Sequence, residues 1–164
     1  MKYAITGHTY GIGLEIFNRL SPNILGFSRS NGYDINENSS RLKIIEEVQD
    51  CDVFINNAQN KFGQTLMFID LWNSWYNLRN KTIINVGSRI ADIKYLPNNK
   101  LNLLHYQAEK VMLKEMSNRV IGFCKVKYVS FGYVGTSKIL EKYPTMDKKN
   151  YISVEEAANI ILQS

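Results

Sequence analysis

The chain has 164 residues, 45% of them apolar and 21% charged, with only three prolines. That composition supports one folded domain over residues 1–164 and excludes a disordered or fibrous chain. The formal charge is +5, but the lysines are scattered and form no basic stripe interleaved with aromatics, so a solvated surface is expected and no nucleic-acid partner.

In chain order, a strand is predicted at Tyr3–Thr6, then the turn Thr6-Gly7-His8-Thr9-Tyr10-Gly11-Ile12-Gly13 and a helix over Gly13–Leu20. No long apolar leader precedes that strand, and no run approaches the roughly eighteen apolar residues of a membrane span, so a soluble cytoplasmic protein with no membrane partner is expected. A second strand is predicted at Asn23–Ser28, a minimal third at Tyr33–Ile35, and a helix at Ser39–Gln49. Strands at Asp52–Asn56, Thr82–Val86 and Lys125–Phe131 alternate with helices at Gly63–Arg79 and Leu103–Val120. The helix Val154–Gln163 opens on Ser153-Val154-Glu155-Glu156, a capping box in which a hydroxyl and a carboxylate satisfy each other's backbone donors. Cys51 and Cys124 lie far apart beside strand-like runs, with no metal-ligand spacing, so reduced core thiols and no metal are expected.

Short strands alternating with amphipathic helices predict an α/β fold, a doubly wound parallel sheet in three αβα layers. Two segments without periodicity, Arg89–Lys100 and Gly135–Tyr151, both follow strands. Loops at the carboxyl ends of strands are where such a sheet holds its ligand, so these two are the predicted pocket walls.

A strand, then Gly7-xxx-Gly11-x-Gly13, then a helix is the context in which glycines bind a diphosphate. The backbone turns tightly, comes close to the ligand without a Cβ in between, and aims helix amides at an anion. Further on, Tyr106 and Lys110 are four residues apart on a predicted helix and share one face. An ammonium there is expected to lower a phenol pKa from its ordinary value of about 10 by stabilising the phenolate.

Five segments, in order, resemble the short-chain dehydrogenase/reductase family, whose fold is Rossmann-like. Thr6-Gly7 to Gly11-Ile12-Gly13 resembles its TGxxxGIG turn at every fixed position, and Asn56-Asn57-Ala58-Gln59 its NNAG, with Gln in place of Gly. Asn85-Val86-Gly87-Ser88 resembles its serine-bearing strand end, Tyr106 to Lys110 its YxxxK, and Gly132-Tyr133-Val134-Gly135-Thr136 its PGxVxT without the proline. The resemblance implies a nicotinamide cofactor held by Gly7, Tyr10, Gly11, Ile12, Gly13, Asn56, Asn57 and Ala58. Asp34-Ile35 would lie beside the adenine, and Val134 and Thr136 against the carboxamide. It further implies that Ser88 fixes a substrate carbonyl, that Tyr106 exchanges its proton, and that Lys110 binds the nicotinamide ribose. The implied substrate is a small carbonyl compound or its alcohol.

At the end of the second strand no carboxylate is present to take a ribose 2′-hydroxyl, while Ser28-Arg29-Ser30 offers a guanidinium and two hydroxyls. NADP(H) is therefore favoured over NAD(H). The family's dimer helices correspond to 63–79 and 103–120. The first carries Leu66, Phe68, Ile69, Leu71, Trp72, Trp75, Tyr76 and Leu78, more apolar surface than one sheet contact needs, so a homodimer or tetramer is expected.

The departures from the pattern are specific. The resemblance implies that a helix is deleted between the second strand and Asp34, and that the sheet lacks the family's usual seventh strand. Counting back from Ser88 puts Gly63 or Gln64 where the family's relay asparagine belongs; Asn73 and Asn77 fall further along, and no residue is assigned the role. The gap from Ser88 to Tyr106 is long, and the stretch after Thr136 is too short for the usual covering helices, which predicts an open pocket. His8 either touches phosphate or faces solvent, and His105 has no evident partner. Two readings follow: an NADP(H)-dependent reductase of minimal size, or a non-catalytic NADP(H)-binding sensor or regulator.

Overall fold

In β1 (Tyr3–Thr6), Ala4 joins the core on one face of the sheet and Ile5 the core on the other, and both are fully buried. The same alternation runs through β2 (Ile24–Phe27), β3 (Val53–Asn56), β4 (Thr82–Ser88) and β5 (Lys125–Phe131). A sheet covered on both faces has no side left for polar residues, so Val53-Phe54-Ile55 and Ile83-Ile84 read as unbroken apolar runs. The computed structural model describes residues 1–164 and pairs these five strands in parallel, in the order β2-β1-β3-β4-β5.

On one face, α2 (Asn38–Glu47), α3 (Gly63–Trp75) and α4 (Leu104–Arg119) press Ile44, Phe68, Trp75 and Leu113 against Ala4, Phe54 and Ile83. On the other, α1 (Gly11–Leu20) and α6 (Val154–Gln163) press Ile16, Ala158 and Ile161 against Ile5, Ile55 and Ile84. Ser153 caps α6 as predicted, its Oγ accepting from the Glu156 amide at 3.0 Å. Cys51 and Cys124 are buried free thiols, and burial pushes both up, Cys124 to about 11.

The predicted strand at Tyr33–Ile35 is absent. Its backbone is claimed by side chains: the Asp34 amide donates to Ser40 Oγ at 3.0 Å, and the Ile35 and Asn36 carbonyls accept from Arg41 Nη1 at 2.9 and 3.0 Å. Arg41 is in turn held by Asp70 of α3 at 2.6 Å. A guanidinium thus replaces the hydrogen bonds that a neighbouring strand would supply.

Two other expectations change. The helix predicted to reach Arg79 stops at Trp75, and most of its apolar residues face inward; Leu66, Tyr76 and Leu78 stay exposed. The segment Gly135–Tyr151, expected to be irregular, contains α5 (Ser137–Lys142), and β6 (Tyr133–Val134) pairs in parallel with β7 (Tyr151–Ile152) across it. No helix is long and apolar enough to cross a membrane.

Candidate cofactor and catalytic site

β1 lies between β2 and β3, so the connections leaving it diverge and open a crevice at the carboxyl ends of the strands. Thr6 fixes the floor of that crevice. Its Oγ1 accepts from the backbone amides of Asn57 and Ala58 at 3.1 and 3.0 Å. Asn57 Nδ2 returns two bonds to the Thr6 and Gly7 carbonyls, at 3.2 and 3.3 Å.

The turn needs its glycines for two separate reasons. Gly7 has a φ of +74°, in the left-handed region, and a Cβ on Gly13 would lie 2.1 Å from the Gly7 carbonyl oxygen. The first turn of α1 consequently rests flat on the loop before it. Tyr10, at the N-cap, makes no side-chain capping bond, so the leading amides of α1 face the crevice uncapped. Unpaired amides at the positive end of a ten-residue helix fit a diphosphate. Tyr10 instead reaches across the crevice, with its hydroxyl 2.6 Å from Ser137 Oγ. His8 does not face solvent: its ring packs on Phe17 at 4.8 Å between centroids and lies over Gly26.

At the end of β2, Ser28 Oγ lies 2.7 Å from Ser30 Oγ, and Arg29 beside them is exposed and pairs with no carboxylate. Asp34 Oδ1 accepts from the Asn36 amide at 3.0 Å and from Asn60 at 3.2 Å. Two of the residues assigned to the cofactor have their side chains beneath the crevice. Ile35 is buried in the core, and Asn56, fully buried, donates to Asn85 Oδ1 and to the Gln64 carbonyl, each at 2.9 Å.

Ser88 closes β4, and its hydroxyl accepts from the Ile90 amide at 3.3 Å. The opening turns of α4 bring Tyr106 and Lys110 to the same cavity, with the ammonium 5.6 Å from the phenol ring centre. The expected lowering of the phenol pKa is not what this geometry produces. Burial raises Tyr106 above its ordinary value, with hydrogen bonding from Ser88 opposing the rise. Burial also pushes Lys110, 4% exposed, down to about 8. The reason is the direction of the ammonium, which donates to Gln64 Oε1 at 2.6 Å and to the Val86 carbonyl at 3.5 Å.

The sequence assigns no role to Gln64. It is 3% exposed in the first turn of α3, and its Nε2 donates to the Asn56 and Val86 carbonyls at 2.7 and 2.9 Å. Those two bonds fix the amide so that its oxygen must face Lys110. The signal in the sequence is its position, counted back from Ser88. Tyr128 belongs to none of the five motifs. Its ring lies over Gly87, where a Cβ would meet the hydroxyl at 2.1 Å, and burial raises its pKa.

Ser88, Tyr106 and Lys110 open on a cavity of about 520 Å³, together with Ile12 and Asn57 from the crevice. Its walls are the two segments predicted for them: Ile90, Ile93 and Leu96 from one, Thr136, Ile139 and Tyr143 from the other. Part of the cavity wall is formed by α5. Gln59, standing where the NNAG pattern has Gly, lines it and bonds Glu109 of α4 at 2.6 Å.

A parallel sheet of this order, with a glycine turn entering α1 at the switch point, is a doubly wound α/β fold with its ligand crevice at that point. Within that class the fold is the short-chain dehydrogenase fold. A short-chain dehydrogenase from Burkholderia cenocepacia J2315, in complex with NADP, matches 99% of this chain over 84% of its own at 17% identity, with a TM-score of 0.74. The 3-alpha-hydroxysteroid dehydrogenase from Pseudomonas sp. B-0831, complexed with NADH, matches 99% of this chain over 88% of its own at 15% identity, with a TM-score of 0.72. Serine dehydrogenase from Escherichia coli matches 99% over 90% at 15% identity, with a TM-score of 0.71. No family model and no curated protein matches the sequence.

Proposed function

We propose that the protein is an NADP(H)-dependent short-chain reductase acting on a small carbonyl compound. The observation that carries this reading is the convergence of Ser88, Tyr106 and Lys110, from β4 and α4, on one cavity that opens into the glycine-turn crevice. Gly7, Gly11, Ile12 and Gly13 would hold the diphosphate, and Val134 and Thr136 the carboxamide. Ser28, Arg29 and Ser30 would hold a 2′-phosphate, which favours NADP(H) over NAD(H). When bound, the nicotinamide supplies the hydride. Ser88 Oγ donates to the substrate carbonyl oxygen and fixes its place. Tyr106 gives that oxygen its proton, and a phenol raised by burial is fully protonated at neutral pH, which suits reduction. Lys110 holds a positive charge beside the cofactor ribose, steadied by Gln64.

A homodimer or tetramer through α3 and α4 is part of the proposal, supported by exposed Leu66, Leu104 and Met112 on those helices. Two buried free thiols suit a reducing, cytoplasmic setting. The test is a fluorescence titration with NADPH and NADH, wild type against Arg29→Ala, followed by an aldehyde and ketone panel with Tyr106→Phe. Tighter binding of NADPH that Arg29→Ala abolishes, with turnover lost in Tyr106→Phe, is the expected result. NADPH binding without turnover on any carbonyl would instead indicate a cofactor sensor, and binding of neither cofactor would sink both readings.

A further inference from the structure

We infer that the cavity takes a carbonyl substrate with an anionic group on an apolar body. This rests on the reductase reading above and names the substrate class of the same site. Four of the residues lining the cavity are cationic, Arg89, Lys100, Lys110 and Lys142, and none is a carboxylate. Lys110 is buried and bonded to Gln64, which leaves three exposed cations among the lining residues. They come from three separate places: Arg89 directly after β4, Lys100 in the turn Asn98–Leu103, and Lys142 on α5. None of the three pairs with a carboxylate anywhere in the molecule.

Of the acids near the walls in sequence, Glu141 on α5 is exposed and does not line the cavity, and two others are engaged elsewhere. Asp92, in the same turn as Arg89, is held by Lys114, and Glu109, beside Lys110, is held by Gln59. Between the cations the wall is apolar, with Ile90, Ile93, Leu96 and Ile139. Unpaired like charges around an apolar cavity repel one another, and an anion relieves that repulsion while the apolar wall takes the rest of the molecule. The cofactor's phosphates have their own seats in the proposed arrangement, at the start of α1 and at Arg29, so these three cations are left for the substrate.

The experiment compares 4-formylbenzoate with its neutral methyl ester as substrates for NADPH oxidation, in wild type and in the double variant Arg89→Ala/Lys142→Ala. Calorimetry of benzoate against benzamide on the NADPH-bound protein runs alongside. The expected result is a preference for the acid of at least about tenfold in kcat/KM. It should be carried by KM, weakened by added salt, and reduced to within about twofold in the double variant while NADPH affinity holds. Equal or better use of the ester by wild type would overturn the inference. So would a double variant that loses NADPH affinity but keeps the preference, since the cations would then belong to the cofactor. If neither carbonyl is reduced, the reductase reading fails and the calorimetry still decides the anion site. Benzoate bound above benzamide, with the difference lost in the double variant, upholds that site, and benzamide bound equally well removes it.

Discussion

The Gln64 side-chain oxygen accepts a hydrogen bond from the Lys110 ammonium at 2.6 Å, and both residues are nearly inaccessible to solvent. Gln64 belongs to the start of α3 and Lys110 to α4, so this bond ties the two helices together at the site. Gln64→Leu removes the ammonium's short acceptor and leaves the Asn56 and Val86 carbonyls without their side-chain donor. A buried polar group without a partner costs about 1–3 kcal/mol. Urea unfolding of Gln64→Leu should show a loss of at least about 2 kcal/mol, and Gln64→Glu, which keeps an acceptor, should lose less. An unchanged midpoint in Gln64→Leu would mean that the bond contributes nothing to the fold.

Lys110 also makes a signed prediction for pH. Its folded value of about 8 lies below the unfolded value of about 10.4. Below pH 8 both states carry the proton, and the folded state bears the whole cost of the buried charge. Between about pH 8 and 10.4 the unfolded chain still binds the proton and the folded one has released it, so this residue makes stability rise with pH. The full contribution is on the order of 3 kcal/mol. Cys124, Tyr106 and Tyr128 are acids pushed upward, and they act in the opposite sense over the alkaline range. The difference in unfolding free energy between wild type and Lys110→Met isolates the lysine and should grow in favour of wild type from pH 8 to pH 10. A flat difference would show that the ammonium is not desolvated.

Arg41 is the clearest structural test away from the cavity. It is 6% exposed, bonds Asp70 at 2.6 Å, and holds the Ile35 and Asn36 carbonyls. Removing one partner of a fully buried pair costs about 3–5 kcal/mol; Asp70 keeps 28% of its side chain exposed, so the loss here falls below that range and adds to the loss of the two carbonyl bonds. Arg41→Leu should therefore lower the melting temperature sharply, and Arg41→Leu/Asp70→Leu should recover part of the loss. A double variant no better than the single would assign the effect to the two carbonyls.

Gly13→Ala tests the glycine turn. The added Cβ meets backbone, the Gly7 carbonyl, at 2.1 Å, so the first turn of α1 must shift. Overpacking of this kind costs about 1–3 kcal/mol. NADPH affinity should fall at least about tenfold while the far-UV circular dichroism is kept, since the displacement stays local. Unchanged NADPH affinity would place the diphosphate elsewhere.

Much of this was legible in the residues. Unbroken apolar runs such as Val53-Phe54-Ile55 mark strands buried on both faces, and the turn from Thr6 to Gly13 marks the crevice, because the left-handed angles there favour glycine and the close contact at Gly13 admits no Cβ. The spacing of Tyr106 and Lys110 put both on one helix face, and the two aperiodic segments became the walls of the cavity. These features depend on local geometry, which short stretches of sequence encode directly.

What the sequence left open depends on partners distant in the chain. Tyr33–Ile35 has the composition of a strand, but Arg41 and Ser40 take its backbone bonds. Asn56 matches a cofactor motif, yet its amide faces Asn85 beneath the crevice. Lys110 stands one helical turn from Tyr106, but its ammonium turns to Gln64, 46 positions earlier in the chain, and so does not lower the phenol. The sequence alone determined the five strands of the main sheet, the glycine turn and the residues available for chemistry, because backbone geometry and apolar periodicity are local. The tertiary structure alone decided which hydrogen bonds those residues make and which charges are desolvated, because both depend on groups that meet only when the helices close over the sheet.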